Sequence, residues 1–189
     1  FIPWKDQTHK KELVSRYRQC DSRVTIPLLW TEDRLAQEDL VNFRGNNAFM
    51  FQLGGRRRNP VGYLLAAYYL KDHDLLGLWS KLKEDGAFSA VTYQIAGKRV
   101  SRDLLDSSLE INFLEETLNL STWENLSVLD IGAGYGRLAH RMAEALPNLS
   151  HYLCTDAYPL STFICDCYLR FREIDSIAES VPLDEIQER

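Results

Sequence analysis

The residues best suited to chemistry in this chain lie between Asp130 and Asp156. The stretch Asp130-Ile-Gly132-Ala-Gly134-Tyr-Gly136-Arg137 sets an acid and three alternate glycines at a boundary. Before it, Val128-Leu-Asp-Ile131 reads as a short apolar strand. After it, Leu138, Ala139, Met142, Ala143 and Leu146 recur at helical spacing, and Pro147 ends that helix. Glycines in such a turn allow a tight bend and let the backbone approach a ligand closely. The helix start adds unpaired N–H groups and the positive end of a dipole. His151-Tyr-Leu-Cys-Thr-Asp156 reads as a second strand ending in a second acid, twenty residues beyond Gly136. A carboxylate there can accept hydrogen bonds from both hydroxyls of a ribose. The chemistry implied is capture of a nucleoside-like ligand. Two plainer readings stand beside it: Asp156 as a helix-capping acid, and the glycine run as a structural strand-to-helix turn.

Two cofactor classes use this layout. The nicotinamide and flavin fingerprint is Gly-x-Gly-x-x-Gly, and counted from Gly132 its third glycine falls on Arg137, so that fingerprint fails. A carboxylate as close to the glycines as Asp130 would also repel a pyrophosphate. It suits a ligand carrying an ammonium group and a sulfonium. The segment Asp130 to Gly136 resembles motif I of the class I S-adenosylmethionine-dependent methyltransferases. Together with Ser101-Arg-Asp-Leu-Leu-Asp-Ser107, Val128-Leu-Asp-Ile-Gly-Ala-Gly-Tyr-Gly-Arg-Leu-Ala139 and Thr155-Asp-Ala-Tyr-Pro159, it resembles a bacterial family of sugar O-methyltransferases, from about Asn42 to the C-terminus.

That resemblance implies a function. S-adenosyl-L-methionine would be the cofactor, and a sugar hydroxyl on a small-molecule or saccharide substrate the acceptor. The reaction would be an in-line displacement at the sulfonium methyl, driven by positioning and a base near the hydroxyl; no residue is assigned as that base. Asp130, Gly132, Gly134 and Gly136 would shape the methionine end of the site. Asp156 would hold the ribose, with Ala157 and Tyr158 beside the adenine. Arg137 has two roles open to it, pairing with the cofactor carboxylate or standing solvated in the first helical turn. The rival functions are a nucleotide-dependent (NAD or FAD) oxidoreductase and a non-catalytic interaction module that keeps the cofactor fold.

The elements that must position these residues divide the chain in two. Residues 121–189 read as a Rossmann-like half-domain, in which strand, helix, strand and helix imply a parallel sheet with right-handed crossovers. Leu160 to about Ser180 reads as the second helix, and Val181-Pro-Leu-Asp-Glu-Ile186 as the start of a third strand region. Residues 1–120 read as a mostly helical extension. Thr31-Glu-Asp starts a helix that Gly45 stops, past Leu35, Leu40 and Phe43. Gly54 to Pro60 is a loop, and its Arg56-Arg-Arg58 reads as solvated, with a phosphate clamp as the alternative. Val61 to Leu70 and the stretch around Leu75 to Leu82 read as packed helices. Val91 to Val100 alternates as a hairpin about Ala96-Gly97. Ser101 caps a helix with Leu104, Ser108, Ile111, Leu114 and Leu118 on one face. Ser101, Arg102, Asp103 and Asp106 are a cap and a polar face, or residues that cover the cofactor.

The fold class expected is therefore α/β: the N-terminal half of a class I methyltransferase sheet, with the later strands absent. The family's sheet has seven strands. The chain also begins at Phe1 rather than methionine. It reads as a fragment, expected to expose an unpaired sheet edge and to lack activity alone.

Composition narrows the partners. A formal net charge of -5 gives no broad basic surface for nucleic acid. The longest apolar run, Val61 to Leu70, is about half a membrane span. Cys20, Cys154, Cys165 and Cys167 form no Cys-x-x-Cys pair. They read as free thiols in a reducing compartment, the cytoplasm, and not as metal ligands. His9, His73, His140 and His151 are dispersed and carry no catalytic assignment.

Overall fold

A computed structural model describes residues 7–21, 23, 42–45 and 60–186. In chain order its elements are α1 (Gln7–Tyr17), α2 (Pro60–Asp72), α3 (Leu78–Lys81), β1 (Thr92–Ile95), β2 (Lys98–Ser101) and α4 (Arg102–Leu118). They continue with β3 (Leu126–Ile131), α5 (Arg137–Ala145), β4 (Leu149–Thr155), α6 (Pro159–Phe171) and β5 (Ala178–Ser180). Chain contacts gather into two units. One combines Phe1–Ala36, Ser127–His140 and Leu149–Arg189; the other combines Gln37–Leu126 and Arg141–Asn148. Of the expected helix from Thr31 to Gly45, only residues 42–45 are described, and they form a turn. The loop at residues 54–59, with Arg56 to Arg58, lies outside the described residues.

In the second unit, α2 begins with Pro60 in its first turn, where a missing N–H costs nothing. It buries Tyr63, Ala67 and Leu70 and packs on α4. The expected helix around Leu75–Leu82 contracts to a single turn, α3. Gly77 stands in the left-handed region at φ 68°, and both oxygens of Asp74 accept from the Leu78 and Trp79 N–H groups at 2.7 Å. The carboxylate starts the helix afresh at Leu78, and Leu82 turns extended. β1 and β2 form the expected antiparallel hairpin, with Ala96 and Gly97 both at positive φ (49° and 78°) in its two-residue turn. Ser101 caps α4 as expected, its Oγ accepting from the Leu104 N–H at 3.1 Å. Leu104, Ser108 and Ile111 of the expected face are buried, while Leu118 is exposed.

This unit also contains a buried ionic knot that the sequence did not announce. The Arg44 side chain is wholly buried and reaches Glu84 and Asp103, each at 2.7 Å. Arg141, equally enclosed, reaches Glu84 at 3.3 Å and donates to the Lys83 carbonyl at 2.8 Å. Ser101 Oγ touches both Glu84 and Asp103. Two buried cations face two buried anions, and the more exposed Asp85 and Glu144 also meet Arg44 and Arg141 at 3.5 and 2.8 Å, so each buried charge keeps a partner.

The first unit is an α/β layer. Its three-stranded parallel sheet has the order β3-β4-β5, with β4 in the middle. The β4–β5 register pairs Tyr152 with Ala178 and Cys154 with Ser180. β4 buries Tyr152, Cys154 and Thr155, and α6 is buried along most of its length from Leu160 to Leu169. α1 packs along α6 in this same unit. Leu129 and Ile131 of β3 are exposed.

Two boundaries differ from the sequence expectation. The second helix stops at Phe171 instead of running to Ser180, because Glu173 takes a left-handed φ of 56° and the Glu173 and Ile174 N–H groups bond back to the Arg170 and Leu169 carbonyls. That is a Schellman ending with glutamate in the seat usually held by glycine. The third strand is Ala178–Ser180, earlier than the expected Val181 to Ile186, which forms turns instead. Among the described residues no helix is long and apolar enough to cross a membrane. All four cysteines are free, and Cys154, Cys165 and Cys167 are buried.

Candidate functional site

The Asp130 to Gly136 turn joins the carboxyl end of β3 to α5. Gly132, Gly134 and Gly136 all stand at positive φ, at 88°, 59° and 82°. Their surroundings separate them. A Cβ on Gly132 or Gly134 would meet nothing within 4 Å, whereas one on Gly136 would lie 3.0 Å from Cys165 Sγ and 3.2 Å from Leu169 Cδ2. Gly136 is therefore needed for α5 to seat against α6. Gly132 and Gly134 are needed for backbone shape, and they front open space, the condition for a ligand to approach the main chain.

The turn is pinned to the end of β4. The Gly132 and Ala133 N–H groups donate to the Thr155 carbonyl at 2.8 and 3.1 Å. The Gly134 N–H donates to Asp156 Oδ2 at 3.0 Å, and the Tyr158 N–H to Oδ1 at 2.9 Å. Asp156 thus bridges the glycine turn and the start of α6 by its own carboxylate. Burial raises the Asp156 carboxyl above its ordinary value; the two backbone donors pull it down, and nearby Asp130 pushes it up again. Asp130 accepts the Tyr152 hydroxyl at 2.9 Å. Burial, then the neighbouring Asp130 charge, pushes the Tyr152 phenol far up, so it stays a donor. The outcome is a pair of acids at adjacent strand ends, each oriented by hydrogen bonds.

The remaining sequence-designated residues spread out from this pair. Ala157 is exposed beside Asp156, while Tyr158 is buried at 5 % exposure, so only part of its ring can face a ligand. Arg137 is half-buried in the first turn of α5. Ser101 and Asp103 belong to the ionic knot, and Arg102 pairs with Asp106 at 2.6 Å. His140 is buried, with its Nδ1 3.0 Å from the Tyr168 hydroxyl, and Tyr135 meets Tyr168 edge-on at 5.2 Å between centroids. His151 faces Glu179 at 3.5 Å on the sheet. Among the described residues no cluster of three or more His, Cys, Asp or Glu could hold a metal ion.

Three contributors escaped the sequence reading. Tyr152 orients Asp130, and its place on the strand facing Asp130 was readable in principle from strand pairing. Thr155 is buried at 3 % exposure, lends its carbonyl to the turn and has a hydroxyl with no protein partner. Tyr17 of α1 sets its hydroxyl 3.1 Å from the Asp156 carbonyl oxygen, a contact 139 residues apart that no local pattern signals.

The arrangement offers negative charge and hydrogen-bond acceptors, which could hold a cation or a pair of hydroxyls. Two carboxylates flank an open backbone cradle, and every Asp156 oxygen retains lone pairs beyond those its backbone donors use. A pyrophosphate would meet both acids. Comparison with protein-family models, curated proteins and solved structures finds no match to this chain.

Proposed function

We propose that the chain binds S-adenosylmethionine at the Asp130 to Gly136 turn and Asp156, as the cofactor-binding part of a methyltransferase acting on an oxygen, a sugar hydroxyl. The observation that carries this reading is the bond from the Gly134 N–H to the Asp156 carboxylate, with Asp130 on the neighbouring strand. It makes the glycine turn and both acids one constellation. Its charge favours a sulfonium and an ammonium and disfavours a pyrophosphate. Asp130 would hold the cationic methionine end, with Gly132 and Gly134 admitting it to the backbone. Asp156 would take the ribose hydroxyls. Ala157 and the exposed part of Tyr158 would border the adenine. When bound, the cofactor supplies an electrophilic methyl group; these residues orient it and shield it. The free, buried thiols support a cytoplasmic setting.

Calorimetric titration of the chain with S-adenosylhomocysteine and with NAD tests the reading. Saturable binding of S-adenosylhomocysteine and none of NAD is expected. Tighter binding of NAD would overturn it and restore the oxidoreductase alternative.

A further inference from the structure

The Tyr17 hydroxyl is buried at 3 % exposure with three polar partners. They are the Asp156 carbonyl oxygen at 3.1 Å, Thr162 Oγ1 at 2.7 Å and the Leu183 N–H at 3.1 Å. They come from the end of β4, the first turn of α6 and the segment after β5. A proton inventory fixes the directions. A phenol has one proton to give and can accept two. The Leu183 N–H can only donate and the Asp156 carbonyl can only accept. Tyr17 therefore donates to Asp156, and Thr162 donates to Tyr17. Beside it, Arg16 of α1 holds Asp184 at 2.8 Å and Glu185 at 2.6 Å. α1 is thus tied to the carboxyl ends of two strands, the face where ligands of open α/β sheets bind.

Asp156 is held from both sides: its carboxylate by the Gly134 and Tyr158 N–H groups, its carbonyl by Tyr17. We infer that Tyr17 is a positioning residue for Asp156, and that docking of α1 and binding of a ribose-bearing ligand at Asp156 are coupled through this one hydroxyl. The inference rests on the cofactor reading above. A carbonyl released from Tyr17 lets the peptide after Asp156 turn, and the carboxylate loses its aim. Coupling is reciprocal, so bound ligand must tighten α1 by the same factor that docked α1 tightens the ligand.

A double-mutant cycle separates aim from mere stability. S-adenosylhomocysteine affinity and melting temperature are measured for the wild-type chain, Tyr17→Phe, Asp156→Ala and the double variant. Tyr17→Phe is expected to weaken binding about tenfold, the scale of one hydrogen bond, and to weaken it no further once Asp156→Ala has removed the carboxylate. Melting temperature falls with Tyr17→Phe in both backgrounds. Unchanged affinity in Tyr17→Phe, or an equal loss in both backgrounds, overturns the inference. Should Tyr17→Phe fail to fold, hydrogen exchange on the wild-type chain decides. Saturating S-adenosylhomocysteine must slow exchange at the Leu183 amide and along α1, and unaltered rates with ligand bound overturn the coupling. Absence of any S-adenosylhomocysteine binding to the wild-type chain is a separate result. It removes the cofactor reading itself, and the coupling with it.

Discussion

Asp156 carries two duties that pull its chemistry in opposite directions. As a bridge it accepts two backbone N–H groups, which favours its ionised form; as a half-buried group near Asp130 it resists ionisation, and its carboxyl is raised above its ordinary value. A carboxyl raised in the fold stabilises that fold fully below its unfolded value, and the contribution is lost as pH rises through the raised value. Chemical-denaturation curves across the acid range should therefore show wild-type stability declining with rising pH more steeply than that of Asp156→Asn. Parallel pH profiles would mean that Asp156 ionises without penalty. The three glycines divide along a similar line. Gly134→Val should strain the turn, because valine is disfavoured at a φ of 59° even where open space receives its side chain, and should abolish S-adenosylhomocysteine binding; normal binding by a variant that circular dichroism shows folded would refute the role. Gly136→Ala should act on stability instead, since its Cβ would press on Cys165 and Leu169, and a melting temperature equal to wild type would refute that packing role.

Elements announced themselves where local chemistry and tertiary context agreed. The β1–β2 hairpin, the Ser101 cap and the strand–turn–helix at Asp130 were all legible, because alternation, a capping hydroxyl and glycines state their reasons within a few residues. α6 was overextended because its stop signal is absent from the residue types: Glu173 occupies a left-handed position that a reader of sequence reserves for glycine. Glu173→Gly should raise the unfolding free energy by about 0.5–1 kcal/mol, measured in urea, by removing the Cβ strain of that conformation. A variant no more stable than wild type would show the helix end to be unstrained. α3 was overextended for the converse reason, since apolar residues from Leu75 to Leu82 continue past a cap at Asp74 that breaks the helix before it starts. Long-range partners left no local trace. Nothing around Tyr17 points to Asp156, and nothing around Arg44 points to Glu84 and Asp103.

At the scale of the whole molecule, the Arg44 knot joins residues far apart in sequence through buried charge. Arg44→Leu would strand Asp103 away from water and leave Glu84 to Arg141 alone, and is expected to cost about 3–5 kcal/mol in unfolding free energy. Adding Asp103→Asn should recover part of that loss, and a loss that persists in full would place the cost in packing instead of charge. Chain order has its own consequence at this scale. The Tyr17 hydroxyl meets the Leu183 N–H across 166 residues of sequence. During synthesis at about 5–20 residues per second, a finished α1 waits roughly ten to thirty seconds for that partner to leave the ribosome. A helix that emerges well before its partner is thus settled only once that partner arrives. Throughout that interval its apolar residues Leu13 and Tyr17, buried in the finished fold, stand open to chaperones and proteases.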